Sequence, residues 1–549
     1  MLYSLSTSKN MSLIMNNKCI RIIIVALAAF LSACGQNTAP TSNEAVNLAN
    51  VHQHIKTLAS DEFAGRGPLT EGEKLTIDYL AQEYKKLGLT GGVNGEFFQS
   101  VPMAKLTPDA SMILKVGDLE FKAGKDFTAR TEQIQDEINL VESDLVFVGY
   151  GINAPEYQWN DYQDIDVTGK TVVILVNDPG FATQDDALFT GNAMTYYGRW
   201  TYKYEEAARQ GAKAVLIVHE TAPAAYPWSV VESSNTGSKY TLIDDENNIS
   251  KLPIMGWLHY DATIKLMTAA GLDYAALKQQ ALTPEFKATP LNLTANLQLK
   301  TSIEHAESNN VVALLEGTTR ADEYIIVSAH WDHFGTKQTP TGPKIYNGAI
   351  DNATGTAGTI EIARMLKQQS KIKPFERSIL FVNFTAEETG LIGSELFARG
   401  DIIPTKQMVA LLNIDGMNAL DGVDYVLQYG KDMSEMEDYL AKAAAKQQRH
   451  VKLDPRPQNG LFFRSDHFSF AKQGVPSLLF MSLGDTDPDY IAHKYHKEED
   501  DYSASWSLGG VEQDISLIVN IASQLATNQD WPKWKSESDF KKRRLEDKK

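Results

Sequence analysis

Two histidines and three carboxylates, His330, Asp351, Glu388, Asp415 and His496, are the side chains with the clearest capacity for chemistry in this sequence. Imidazole and carboxylate together form the donor set that suits Zn²⁺, and five such groups suffice for two ions sharing one bridge. Several carboxylates converging without a positive partner would be strongly disfavoured or would protonate, so the set calls for cations. Singly, each residue has a plain explanation: His330 as a core histidine, Asp415 as a strand-end cap, Glu387-Glu388 as a solvated helix start. Position along the chain gives them joint meaning.

From Asn310 onward, apolar β-type runs alternate with helical patterns. Strands are predicted over Tyr324 to Ala329, Ile379 to Phe384, Val409 to Ile414 and Leu478 to Met481, and helices near Ala357 to Gln369, Ser434 to Gln447 and Gly510 to Leu525. Such alternation predicts an α/β class fold, a three-layer α/β/α sandwich on a mixed, largely parallel sheet. In an open sheet of that kind, ligands bind beyond the carboxyl ends of the strands. His330, Glu387-Glu388 and Asp415 each follow a predicted strand, and His496 lies in the loop after the fourth. Asp351 sits in Gly348-Ala-Ile-Asp-Asn-Ala-Thr-Gly355, small residues that predict a tight turn into a helix.

Competing signatures are absent or broken. Asp485-Thr-Asp487-Pro-Asp489 begins like a calcium loop, but Tyr490 replaces the glycine and His496 the bidentate Glu of an EF-hand. His219-Glu220 has Pro223 where a helical zincin needs its second histidine, and no G-x-S-x-G elbow or P-loop occurs. His333 and His467 lie close to the motifs and are candidates to line the cleft, and His493 competes with His496. His52, His54, His219, His259, His305 and His450 read as surface or packing residues.

His330-x-Asp332, Asp351-Asn-Ala-Thr-Gly355, Glu387-Glu388, Asn413-Ile-Asp415 and Tyr495-His496 followed by Asp500 resemble the ordered motif series of the M28 family of metallopeptidases. The resemblance implies the zinc exopeptidase type of α/β sandwich, two Zn²⁺ ions and peptide substrates. It implies that Asp351 bridges the ions, that His330 and Asp415 complete one, and that Glu388 and His496 complete the other. Asp332 would orient the His330 ring by accepting its free N–H, and Glu387 would be the general base. The implied activity is an aminopeptidase, with carboxypeptidase or dipeptidase as alternatives and a receptor-like binding protein as a remoter one. Residues His54 to Leu89, with Asp61-Glu-Phe-Ala-Gly-Arg66, and Arg464-Ser-Asp-His467 are similar to the same family, and Arg464 is a candidate contact for a substrate carboxylate.

The remainder of the chain frames this unit. Glu142 to Leu293 changes to short β-branched runs broken by Gly, Pro, Asn and Asp, with one helix near Tyr202 to Gln210. Gly169-Lys-Thr-Val-Val173 and Gln210-Gly-Ala-Lys-Ala-Val215 resemble an inserted protease-associated (PA) domain. The predicted organisation is a signal over 1–34, a tether over 35–47, an N-terminal part of the peptidase domain over 48–141, the β-rich insert over 142–293, the catalytic domain over 294–528 and a basic, disordered tail over 529–549. Thr70 and Glu73 form a capping-box pattern ahead of an amphipathic helix ending before Gly88.

Only two cysteines occur, Cys19 and Cys34, which leaves no disulfide for the folded part. Lys18 and Arg21 precede an apolar run, Ile22 to Leu31, too short to span a bilayer, and Leu31-Ser-Ala-Cys34 resembles a bacterial lipobox. Export and lipid attachment through Cys34, to a bacterial outer membrane facing periplasm or surface, are expected. A formal net charge of -18 argues against nucleic acid as a partner.

Overall fold

The computed structural model describes residues 45–547 except 245, 341, 484–488 and 537. The expected signal, Cys34 and most of the tether lie outside the described residues. Asn47 caps the first described helix, Leu48–Leu58, by accepting from Asn50 N–H.

The first sheet is built around strands Arg377–Phe384, Arg320–His330, Met408–Ile414 and Ser477–Met481, adjacent in that order and mutually parallel. Every residue of Arg377–Phe384 and of Met408–Ile414 is buried, as a parallel sheet covered on both faces requires. Side chains divide with period two. Ile325, Val327, Ile379 and Phe381 pack with helices Gly355–Ile372 and Gly509–Thr527 through Ile360, Leu366, Ile515 and Ile518. Ile326, Leu380, Val382 and Leu411 pack on the other side with Phe397 and Phe470. Helices thus cover both faces of a mixed sheet, which is the expected α/β sandwich. On one edge the sheet continues antiparallel through Thr289–Leu315 and Phe98–Pro108.

A second sheet has its own core. Glu137–Phe147, Thr171–Leu175, Ala214–Val218 and Ile254–Leu258 run parallel side by side, with Phe127–Arg130 antiparallel at the far edge. Strand Thr289–Leu315 joins the two sheets: its first half pairs with Glu137–Phe147, its middle with Phe98–Pro108 and its end with Arg377–Phe384. Strands Ile113–Val116 and Phe127–Arg130 also belong to this second sheet, so the insert begins well before the expected residue 142. Short β-branched runs read alike whichever sheet they join, and only pairing separates them. The insert also holds helices Trp228–Asn235, Tyr260–Ala269 and Tyr274–Gln280 beside the expected one, here Trp200–Arg209.

The tail departs from expectation. Trp534 and Phe540 are buried with Phe462, Phe463 and Phe468, and the last described helix is Lys541–Asp547. Trp534 Nε1 donates to Gly474 O at 2.7 Å, and Phe540 meets Tyr196 of the insert at a ring separation of 5.8 Å. Charge composition predicts disorder here, but two aromatic anchors give this segment enough apolar surface to bury. Among the described residues no helix is long and apolar enough to cross a membrane.

Candidate metal centre

His330 is the last residue of its strand and points across the carboxyl edge of the sheet. Its Nε2 lies 3.3 Å from Asp351 Oδ1 and 3.3 Å from Asp415 Oδ1. His496 Nε2 lies 3.2 Å from Asp351 Oδ2 and 3.4 Å from Glu388 Oε2. The five expected ligands therefore converge in two half-sites joined by Asp351. Donors about 2.0–2.1 Å from a tetrahedral zinc ion sit about 3.3 Å from one another, so these separations fit ions between the paired groups.

Each ligand is held from behind. Asp500 accepts Ile350 N–H at 2.9 Å and Asp351 N–H at 3.0 Å, fixing the turn that carries the bridge. Asn352 stitches that turn to the Asp415 loop: its Nδ2 donates to Ile414 O and its Oδ1 accepts Gly416 N–H. Thr356 Oγ1 donates to His330 O at 2.8 Å. The Arg66 guanidinium, fully buried, donates to the carbonyls of Leu58, Trp331, Asn347 and Gly348, tying the His330 loop to the approach of Asp351. His496 has φ of 59°, stacks on Tyr495 at a ring separation of 3.7 Å and meets Phe334 at 4.7 Å.

Asp332 is placed differently from expectation. Its carboxylate accepts the N–H groups of Glu387 at 3.0 Å and Glu388 at 3.3 Å, while the nearer acceptor for His330 Nδ1 is the backbone carbonyl of Asp332 at 3.1 Å. The Asp332 side chain thus shapes the turn bearing both glutamates, and its main chain orients the imidazole. Ala386, at φ of 55°, leads into that turn, and the two glutamates reach different half-sites, Glu387 beside His330 and Asp415 and Glu388 beside Asp351.

The electrostatics match an acidic cage. Burial raises the Glu387 carboxyl well above its usual range, reinforced by Asp415 and Asp466; burial with Asp351 and Glu387 does the same to Glu388. Burial acts upward on Asp351 too, but contacts with His330 and His496 override it and hold that carboxyl well below its usual range. Burial pushes Asp332 up to about 6 and Asp466 up to about 7. Arg66, whose own value burial lowers to about 10, faces away into carbonyls. The arrangement carries more negative charge than its own side chains neutralise, which is the condition that divalent ions relieve.

Of the two further histidines near the motifs, His333 lies in the site, with Nδ1 2.6 Å from Glu388 Oε1, and His467 is buried against Phe462 away from the ligands. His493 lies in the turn ahead of His496. Arg66, Asp500 and Asn352 act through the backbone; their role has no spacing signal, although all three fall within stretches already singled out. A cavity of about 810 Å³ opens onto Asp351, Glu387, Glu388, Asp415 and His496, walled by Arg464 and Tyr495 and, from the insert, by Arg199, Tyr226 and Trp257.

Residues 310–517 match the model of Peptidase family M28. Aminopeptidase YwaD of Bacillus subtilis (strain 168) is 25% identical over 323 residues, which cover 57% of this chain and 56% of that protein. Aminopeptidase NAALADL1 of Mus musculus is 31% identical over 167 residues, 28% of this chain and 21% of the relative. The chain thus spans from about a fifth to a little over half the length of these relatives. A solved aminopeptidase from Aneurinibacillus sp. strain AM-1 is 20% identical with a TM-score of 0.48, over 88% of this chain and 95% of that one. All five converging residues lie within the segment that matches Peptidase family M28.

Proposed function

We propose that the protein is a zinc-dependent exopeptidase that removes residues from the N-termini of peptides, using two Zn²⁺ ions. The observation that carries this is the paired geometry about Asp351, whose two oxygens face two different histidines at 3.3 and 3.2 Å. His330, Asp351 and Asp415 would hold one ion, and Asp351, Glu388 and His496 the other. Zinc there supplies Lewis acidity and lowers the pKa of water toward about 7.

The remaining work falls to the chain. Glu387 shares the His330 and Asp415 half-site, the three offering atoms within 4.8 Å of one another. Its carboxylate stands beside that half-site, where it would take a proton from the attacking water and pass it to the departing amine. Asp332 fixes the position of that base through its backbone N–H. The cavity walls, drawn from both sheets, exclude bulk water and limit what reaches the carboxylates.

A carboxypeptidase or dipeptidase reading is favoured by one observation, the two arginines Arg199 and Arg464 in the cavity wall. Peptides blocked at either terminus decide between them: an aminopeptidase loses activity on N-acetylated substrates and keeps it on C-terminal amides. The insert is proposed to be a PA-type domain, and Cys34 to be the site of lipid attachment to a bacterial membrane. Labelling with radioactive palmitate that persists in Cys34→Ala would refute the anchor.

A further inference from the structure

His333 is buried with a side-chain exposure of 0%, and neither ring nitrogen has a hydrogen-bond partner among the described residues. A buried imidazole with both nitrogens unanswered is costly unless it serves a neighbour. Its ring is fixed in place. Gly348 approaches so closely that a Cβ there would stand 2.5 Å from the His333 ring, and Phe334 and His496 lie at ring separations of 4.8 and 6.1 Å.

Its Nδ1 lies 2.6 Å from Glu388 Oε1, an oxygen that likewise has no hydrogen-bond partner among the described residues. The other oxygen of Glu388 faces His496 at 3.4 Å. These two distances differ in kind. Two donors about 2.0–2.1 Å from one zinc ion stand about 3.3 Å apart, and 2.6 Å would close their angle at the metal to about 80°, far below tetrahedral. It is short enough for a direct N–H to oxygen contact, although the ring N–H and the carboxylate are not aligned as they stand and the bond requires the Glu388 carboxylate to rotate onto it. Although His333, Asp351 and Glu388 present atoms within 4.8 Å of one another, the distances set His333 against Glu388 itself rather than on the ion.

We propose that His333 is a positioning residue which donates its Nδ1–H to Glu388 Oε1 and so reserves Oε2 for the metal shared with Asp351 and His496. This rests on the metal reading above and adds a division within it. The half-site of Glu388 and His496 depends on His333, and the half-site of His330 and Asp415 does not. A ligating carboxylate released from such a partner loses metal affinity by about 10- to 100-fold.

The test uses the purified full-length chain in three forms, wild type, His333→Asn and His333→Leu, with His333→Ala as a second donor-free variant should Leu fail to fold. Zinc content is followed during titration with a chelator, and Co²⁺-loaded samples give visible spectra. The expected result is two zinc equivalents in wild type, one of them weakened about 10- to 100-fold in the Leu or Ala variant, and recovery in Asn, whose side-chain N–H replaces the donor. Equal retention of both ions in the Leu or Ala variant overturns the proposal. So does an Asn variant as weak as Leu, or a cobalt spectrum showing that His333 itself is a ligand. Wild-type protein that takes up no metal overturns the proposed function instead, which separates the two failures.

Discussion

Asp351 turns one carboxylate oxygen to each half-site: Oδ1 lies 3.3 Å from His330 Nε2 and Oδ2 lies 3.2 Å from His496 Nε2. On the proposed two-ion reading Asp351 is the bridge, and a prediction follows. Asp351→Ala removes a ligand from both ions at once, whereas Asp415→Ala removes one from a single ion. Zinc analysis after dialysis is expected to show less than one equivalent in the former and about one in the latter. Equal zinc content in the two variants would contradict the bridge.

Glu387 separates chemistry from metal binding. Glu387→Gln keeps the shape and the backbone contact to Asp332 but removes the base. The expected result is a fall in kcat of about 10²- to 10⁴-fold with zinc content unchanged. Retained kcat would disprove the assignment, and lost zinc would show that Glu387 acts as a ligand.

Arg66 tests how the scaffold holds the site. Its guanidinium satisfies four buried carbonyls, two of them at Asn347 and Gly348 just ahead of Asp351. Each buried acceptor left unpaired costs about 1–3 kcal/mol. Arg66→Met is expected to lower stability by at least about 3 kcal/mol and to lower zinc affinity with it. An unchanged melting temperature would show that these contacts contribute little.

The parts of this molecule that sequence reveals are those governed by local period and by residue type. The strands ending at His330, Phe384 and Ile414 announce themselves as apolar runs, and the ligands follow them. What stays hidden depends on pairing or on backbone contacts. The 27-residue strand Thr289–Leu315 pairs with three partners in succession, so its sequence marks no domain edge. Asp332 has the residue type expected of a histidine partner, yet it spends its carboxylate on two amides in a turn that no motif encodes. The tail's Trp534 and Phe540 are legible as aromatic, but their docking site comes from Phe462 and Phe468, remote in sequence.

That docking gives a pH prediction. Asp539 accepts the Tyr196 N–H at 3.3 Å, and burial pushes its carboxyl up to about 7. The folded-state pKa exceeds the unfolded value of about 3.9, so the folded chain binds the extra proton. The associated stability is full below about pH 4 and is lost as pH rises through about 7. Asp539→Asn removes this dependence, so the difference in melting temperature between variant and wild type should grow in the variant's favour from pH 4 to 7.5. A difference that stays flat across that range would exclude Asp539 as its source.

On the proposed function, the cavity wall is where peptides would be selected. Arg199 Nε is buried without a hydrogen-bond partner, and its value falls to about 9 through burial and the nearby Arg464 charge. Two cations facing one cavity, neither in an ion pair with a carboxylate among the described residues, leave a demand for an anion. The free C-terminal carboxylate of a short peptide meets that demand while the scissile bond lies at the metal centre. A charge-assisted hydrogen bond contributes about 1.5–3 kcal/mol, so Arg199→Gln and Arg464→Gln are each expected to raise KM about 10- to 100-fold for dipeptides. The same variants should leave KM for dipeptide amides nearly unchanged. If acid and amide respond alike, the arginines serve the wall and not the substrate, and long peptides should then be cleaved as readily as short ones.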